Sequence, residues 1–323
     1  MHDAGSFLGS LRPPLLWRKD LMKRIKMLKT RQGKEHFIRS LFYGTALASI
    51  TILFLIVLFL FMEGLPILQK VSLRGFLFGK YWYPTADPPD FGIFPLIMAS
   101  IAVTVLSGVL AVPLGLMTAI YLAEIASFRV RELVKPIVEL LAALPSVVIG
   151  FFGMVVVAPF LQNVLDIPTG LNLFNASLML AFMSIPTICS ISEDAIYSVA
   201  MEIKQASLAL GATHWQTIYR IIIPASLSGI TTAIILGMSR AIGETMVVLM
   251  VAGGATLIPS SIFDPVRPMT ASIAAEMAEA PFRGDHYHAL FATGIVLFFI
   301  TLLFNMLADH ISHKYKQVGT ATL

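Results

Sequence analysis

The chain has 323 residues, 57% of them hydrophobic and 13% charged, with a formal net charge of +4 and a mean hydropathy of +0.81. Soluble domains carry about 25% charged residues, so this composition excludes a water-soluble globular enzyme and describes an integral membrane protein. The single cysteine, Cys189, excludes an intrachain disulfide and a cysteine-based metal site. The positive charge does not indicate nucleic acid, because ten of the 23 Lys and Arg precede residue 40.

That basic run (Arg18, Lys19, Lys23, Arg24, Lys26, Lys29, Arg31, Lys34, Arg39) abuts the first apolar stretch, 41–62. Basic residues beside a spanning segment stay on the cytoplasmic side and are drawn to anionic lipid. The stretch is too continuous for a signal peptide, whose apolar core is about 7–15 residues, so it is expected to be a retained span. Apolar runs predict six spanning helices at about 41–62, 93–122, 133–160, 174–198, 221–252 and 288–311, each near the roughly 20 residues a bilayer requires. With the N-terminus inside, inner segments hold 17 Lys and Arg and outer loops 5, which predicts an all-α, N-in/C-in protein. The expected division is a basic tail (1–40), a first helix with its outer loop (41–91), a transmembrane domain (92–311) with an inner loop at 200–220, and a C-terminal tail (312–323).

In the outer loop, Tyr81-Trp82-Tyr83-Pro84 and Asp87-Pro88-Pro89-Asp90 suit an interfacial aromatic anchor, a contact with an external partner being the other reading. Pro113 and Pro145 fall inside spans two and three. Either could kink a helix that lines a path, or serve close packing together with Gly150 and Gly153. Ser192-Glu193-Asp194 reads as a helix N-cap and first turn.

Residues 200–224 read as a polar hairpin. Ile203, Ala206 and Leu210 share a helix face, Gly211 suits a C-cap with positive φ, and Thr213 with Gln216 match a capping box. Trp215, Ile218 and Ile222 are expected on one face of the second helix. The hairpin either lies on lipid headgroups or offers its apolar residues to a cytoplasmic partner. Beyond it, Ala225, Gly229, Ala233, Gly237 and Ala241 form a small-residue stripe for close helix packing. Arg240 and Glu244 follow at i and i+4 inside the predicted fifth span. An arginine near mid-span costs about 2.5–3.5 kcal/mol and faces protein or a watery cavity. The two residues form either a structural bridge or part of a polar path. Gly75-Phe-Leu-Phe-Gly79-Lys80 lacks the spacing of a phosphate-binding P-loop. His286 with His288, and His310 with His313, lie near helix ends and suit interfacial or capping roles better than a metal. Asn175-Ala-Ser177 is a sequon in form only.

Gln205-Ala206-Ser207, Gly211 and Ile221-x-Ile223-Pro224 resemble the EAA loop of ABC importer permeases, with Gln in place of Glu and both spacings kept. Leu-Pro-Ser-Val-Val-Ile-Gly-Phe-Phe-Gly at 144–153, Arg-Ala-Ile-Gly-Glu-Thr-Met at 240–246, Met-Thr-Ala-Ser-Ile-Ala-Ala-Glu-Met at 269–277 and Ala-Leu-Phe-Ala-Thr-Gly at 289–294 resemble phosphate importer permeases, closer to the PstC-type subunit than to its PstA-type partner. The resemblance spans about 92–311 and implies a type I (MetI-like) permease of the bacterial inner membrane that is not itself an enzyme. It implies that Gln205, Ala206, Ser207, Gly211, Ile221 and Pro224 belong to an ATPase-coupling loop. Its implied partners are a PstA-type permease, a PstB-type ATPase dimer that binds the ATP, and a periplasmic phosphate-binding protein. No cofactor or metal is expected in this chain. Arg240 is expected on the anion path, with Glu244 orienting it and accepting the P–OH that sulfate lacks. An ABC permease for sulfate or molybdate, or a stand-alone ion-coupled carrier, are the alternatives.

Overall fold

In a computed structural model, residues 15–320 are described, with side chains at 38–307, 309 and 310. The tail before residue 15, the side chains of the basic run before residue 38, and those of His313, Lys314 and Lys316 lie outside the described residues. The chain divides into two units, Met1–Phe59 and Leu60–Leu323.

The first unit contains most of α1 (Leu15–Gly64). Within its apolar part the hydroxyls bond their own helix: Ser49 Oγ donates to Thr45 O at 2.9 Å and Thr51 Oγ1 to Leu47 O at 2.8 Å. In hydrocarbon a polar group must find such a partner within the segment.

The second unit continues through α2 (Leu73–Phe78) and a two-stranded antiparallel pair, β1 (Trp82–Tyr83) and β2 (Asp90–Phe91), to α3 (Phe94–Ile120). It then contains α4 (Phe128–Ala142), α5 (Ser146–Phe152), α6 (Ala158–Leu165) and α7 (Leu173–Tyr197). After these come α8 (Met201–Ala209), α9 (His214–Thr217), α10 (Ile223–Ile242), α11 (Met246–Val251), α12 (Met269–Glu276) and α13 (Asp285–Thr320). Among the described residues, six helical stretches are long and apolar enough to cross a membrane: Ile38–Gln69, Phe94–Ile125, Ser146–Leu165, Leu173–Tyr197, His214–Ile242 and Asp285–Leu307.

Helix α7 is the centre of the second unit, packed along α3 on one side and α10 on the other. The small-residue stripe explains the second contact. A Cβ on Gly237 would lie 2.5 Å from Ile188 Cγ1, and one on Gly229 would lie 2.4 Å from the Ala195 methyl, so only glycine lets α10 approach α7 this closely. The other small residues also serve packing, with Gly115 against Ile188, Gly150 against Met250, and Gly153 against Met179. Two π-turns, Gly153–Val157 and Ile218–Ile222, each end two residues before a proline, Pro159 and Pro224. Proline lacks the N–H that continues an α-ladder, and a wider turn re-routes the freed carbonyl.

Three expected boundaries are corrected. The third span does not run from 133. Residues 128–142 form the separate helix α4, and the spanning stretch starts at Ser146, after the break at Pro145. Arg129, Arg131, Glu132, Lys135 and Glu139 on α4 are costly in hydrocarbon, and proline disfavours helix in the residue before it. The fifth span ends at Ile242, because the chain breaks at Gly243 and restarts as α11. Ser192 does not cap a helix; it lies within α7, whose N-cap is Asn172, with Oδ1 accepting from Asn175 N at 2.9 Å.

The outer aromatic cluster is also split rather than wholly interfacial. Alternation along β1 turns Trp82 into the core, 1% exposed, while Tyr83 faces out. In the outer loop after α11, Asp264 Oδ2 accepts from Ser260 N, Ser260 Oγ and Ser261 N, each at 2.8 Å. The Ser260 hydroxyl, then the two backbone N–H groups, hold the Asp264 carboxyl below the usual range. A depressed folded pKa stabilises the loop above the ordinary carboxylate pKa, and that stabilisation disappears as pH falls through the folded value. Protection of the Ser261 amide, taken relative to its intrinsic exchange rate at each pH, should therefore fall on acidification, and Asp264→Asn should remove that change in protection.

Candidate functional site

Two polar regions stand out, an inner hairpin and the break after α10. In the hairpin, Gly211 has φ +86°, and Gly211 N bonds Leu208 O at 3.0 Å, closing α8. Thr213 opens α9 with a complete capping box: Gln216 N donates to Thr213 Oγ1 at 3.2 Å and Thr213 N to Gln216 Oε1 at 2.9 Å. The arms are joined by a buried hydroxyl pair, Ser207 Oγ and Thr217 Oγ1 at 2.9 Å. The second arm continues through the π-turn into α10.

Gln205, Ala206, Gly211 and Pro224 are exposed, Ile221 is half-buried, and Ser207 is buried by its bond to Thr217. The hairpin presents Ile203, Leu208, Leu210, Trp215 and Tyr219 outward, with Leu210 89% and Trp215 65% exposed. The expected common face of Trp215, Ile218 and Ile222 does not form. Ile218 and Ile222 are 1% exposed in the inner core with Leu122 and Ile196, whereas Trp215 points away. The π-turn starting at Ile218 shifts the helical phase that equal spacing had assumed.

Arg240 lies in the last turn of α10 rather than mid-helix, and it is exposed. A cation there is favoured by the free carbonyls of the helix end, by about 0.3–1 kcal/mol. No hydrogen bond or ion pair engages its guanidinium among the described residues. The expected contact with Glu244 is absent, since the i+4 register ends with α10. Glu244 Oε1 instead accepts from Met246 N at 3.1 Å and Val247 N at 3.4 Å, capping α11. Its backbone carbonyl accepts from Thr270 Oγ1 at 2.9 Å, which ties the break to α12. The result is an unpaired guanidinium on one side of a fixed break and an anchored carboxylate on the other.

Sequence reasoning missed a third cluster. Glu193, 1% exposed on α7, accepts from Arg131 Nε at 2.8 Å on Oε1 and forms an ion pair with Lys135 Nζ, 2.8 Å from Oε2. Lys135 also reaches Asp194 Oδ1 at 2.9 Å, and Arg131 stacks 4.1 Å from the centroid of Tyr197. Burial works to lower the Lys135 pKa, but the hydrogen bonds and charges of Glu193 and Asp194 outweigh it and raise the pKa. These contacts clamp α4 onto α7. The only hint in the sequence was the i, i+4 spacing of Arg131 and Lys135 on one helix face.

On the outer side, Glu276 at the end of α12 accepts from Trp82 Nε1 at 3.0 Å and Arg267 NH1 at 2.5 Å, and lies 2.8 Å from His286 Nε2. His288 Nδ1 meets Glu63 O at 2.7 Å. Both histidines are thus occupied in joining elements of the outer cap. Among the described residues, no cluster of three His, Cys, Asp or Glu has metal-site geometry.

Six helical stretches long and apolar enough to span, with an exposed inner hairpin leading directly into one of them, define a multi-pass transport permease of the inner membrane. Residues 111–317 match the family described as binding-protein-dependent transport system inner membrane component, and the chain belongs to that family. It is 36% identical over 304 residues to the probable ABC transporter permease protein YqgH of Bacillus subtilis, covering 93% of this chain and 98% of that one. It is 34% identical over 264 residues to the phosphate transport system permease protein PstC of Mesorhizobium japonicum, covering 75% and 80%. Among solved structures, a bacterial ABC transporter involved in the import of the acidic polysaccharide alginate matches with TM-score 0.61 and 20% identity, over 88% of this chain and 99% of that chain. The MetNI methionine ABC transporter matches with TM-score 0.54 and 20% identity, over 67% and 93%. These two show a shared fold.

Proposed function

We propose that the chain is a membrane subunit of an ATP-driven importer of inorganic phosphate. The observation that carries this reading is the unpaired Arg240 at the break after α10. A guanidinium is a planar fork of donors suited to a tetrahedral oxyanion. Glu244 is anchored through Oε1 to the start of α11, so its other oxygen can accept a hydrogen bond from the P–OH of phosphate. Sulfate carries no such proton and meets a fixed negative charge, which supplies discrimination by repulsion. One arginine does not neutralise a dianion, so further cationic donors come from a second permease subunit. The similarity to phosphate transport system permeases supports the substrate. The exposed Leu210 and Trp215 of the hairpin supply the apolar contacts for a separate ATPase.

The test is ATP-dependent uptake of labelled phosphate by the purified complex in proteoliposomes, with sulfate as competitor. Phosphate accumulation that excess sulfate barely inhibits supports the reading, and Glu244→Gln should make sulfate a markedly better inhibitor. Uptake that sulfate or molybdate saturates in preference to phosphate overturns the choice of anion. Uptake without any ATPase overturns the mode of transport.

A further inference from the structure

The hairpin is joined covalently to membrane helices at both ends, α8 to α7 through residues 198–200 and α9 to α10 through the π-turn, whose Ile218 and Ile222 pack with Leu122. A further attachment is ionic. Lys204 Nζ on α8 contacts Glu124 Oε1 at 2.5 Å, in the turn Tyr121–Ile125 that ends the second span. The two side chains are 12% and 7% exposed, so this is a largely desolvated pair rather than a surface ion pair of little energetic worth. It lies about 80 residues apart in sequence, and among the described residues no other ion pair leaves α8.

Glu124 sits in the π-turn at the inner end of the second span, beyond Pro113 of α3. From there α3 runs back to Gly108, where a Cβ would lie 2.5 Å from Met238 Sδ, two residues before Arg240. At 1.5 Å per residue this is roughly 24 Å of helix. We propose that the Lys204–Glu124 pair is a coupling link that makes α3 move with the hairpin, so that displacement at α8 reaches the Arg240 break from both α3 and α10. Without it, α8 has no ionic tie to α3 and moves it only through apolar packing such as that of Ile218 and Ile222 with Leu122, so α3 lags and holds Met238 back. Lys204 and Glu124 are positioning residues, remote from the transported anion. The proposal rests on the reading of the hairpin as an ATPase-docking element.

The test uses the whole complex in proteoliposomes, with Glu124→Gln, Lys204→Met and the charge-swapped pair Glu124→Lys/Lys204→Glu. Two readouts are taken: phosphate moved per ATP hydrolysed, and the nucleotide-dependent shift of spin labels at the exposed positions Val109 on α3 and Leu236 on α10. Each single variant should keep hydrolysing ATP but lose at least about tenfold in phosphate per ATP, the size of one charge-assisted interaction. It should also lose the shift at Val109 while keeping that at Leu236. The swapped pair should regain most of both. Single variants with a normal Val109 shift, or a swapped pair no better than the singles, overturn the link. If neutral single variants do not assemble, an assembled swapped pair with wild-type label movement still supports it, and one without movement overturns it. Label movement in a complex that moves no phosphate leaves the link standing and overturns only the substrate reading.

Discussion

Arg240→Gln should reduce phosphate uptake by about ten- to a hundredfold, while the thermal midpoint of the purified subunit stays near that of the unaltered protein. The first half follows from losing charge-assisted hydrogen bonds worth about 1.5–3 kcal/mol to a bound anion. The second half follows from geometry. The guanidinium is exposed and has no partner among the described residues, so its loss strands no buried group and forfeits only the small helix-end term. Arg240→Lys should recover part of the activity, because it keeps the charge and loses the fork. The comparison is made by initial uptake rate at matched amounts of assembled complex. A glutamine variant that transports at the wild-type rate removes Arg240 from the path; one that unfolds makes it a structural residue.

Glu193→Gln is expected to be the most destabilising single substitution of a charged residue in the second unit. Glu193 is buried beneath two cations. Removing its charge leaves Arg131, which is only partly exposed, without a carboxylate partner and Lys135 with Asp194 alone. Breaking a buried pair in this way costs about 3–5 kcal/mol. Arg131→Met should cost less, since Lys135 still neutralises the carboxylate. Replacing all three with apolar residues of similar size should cost least, because no buried charge is then left unpaired and Asp194, which loses Lys135, is solvent-exposed. Thermal unfolding in one detergent ranks the variants. A triple variant less stable than Glu193→Gln would show that the cluster contributes more than the mutual neutralisation of its charges.

These two residues also mark how much was legible in the chain. The hairpin was legible in detail, because capping boxes and glycine C-caps use partners three or four residues apart: Gly211, Thr213 and Gln216 do what their spacing requires. The six apolar stretches were legible because lipid demands length and hydropathy from each segment separately. Glu193 was misread as part of a helix cap, since its true partners lie about sixty residues upstream on α4. Arg240 and Glu244 were paired by counting along one helix, and the break at Gly243 redirected the carboxylate to the N–H groups of α11.

The sequence by itself determined that this is a six-span membrane protein, basic side inward, with a capped polar hairpin in its last inner loop. Each of these is set by interactions a segment makes with solvent, lipid or its own backbone. Only the tertiary structure decided where α4 and α5 part, which carboxylates are buried, which cations they meet, and that Arg240 is left without a partner. Those outcomes depend on which helices come together around α7. A buried charge takes the nearest opposite charge in space, and distance along the chain does not reveal that neighbour.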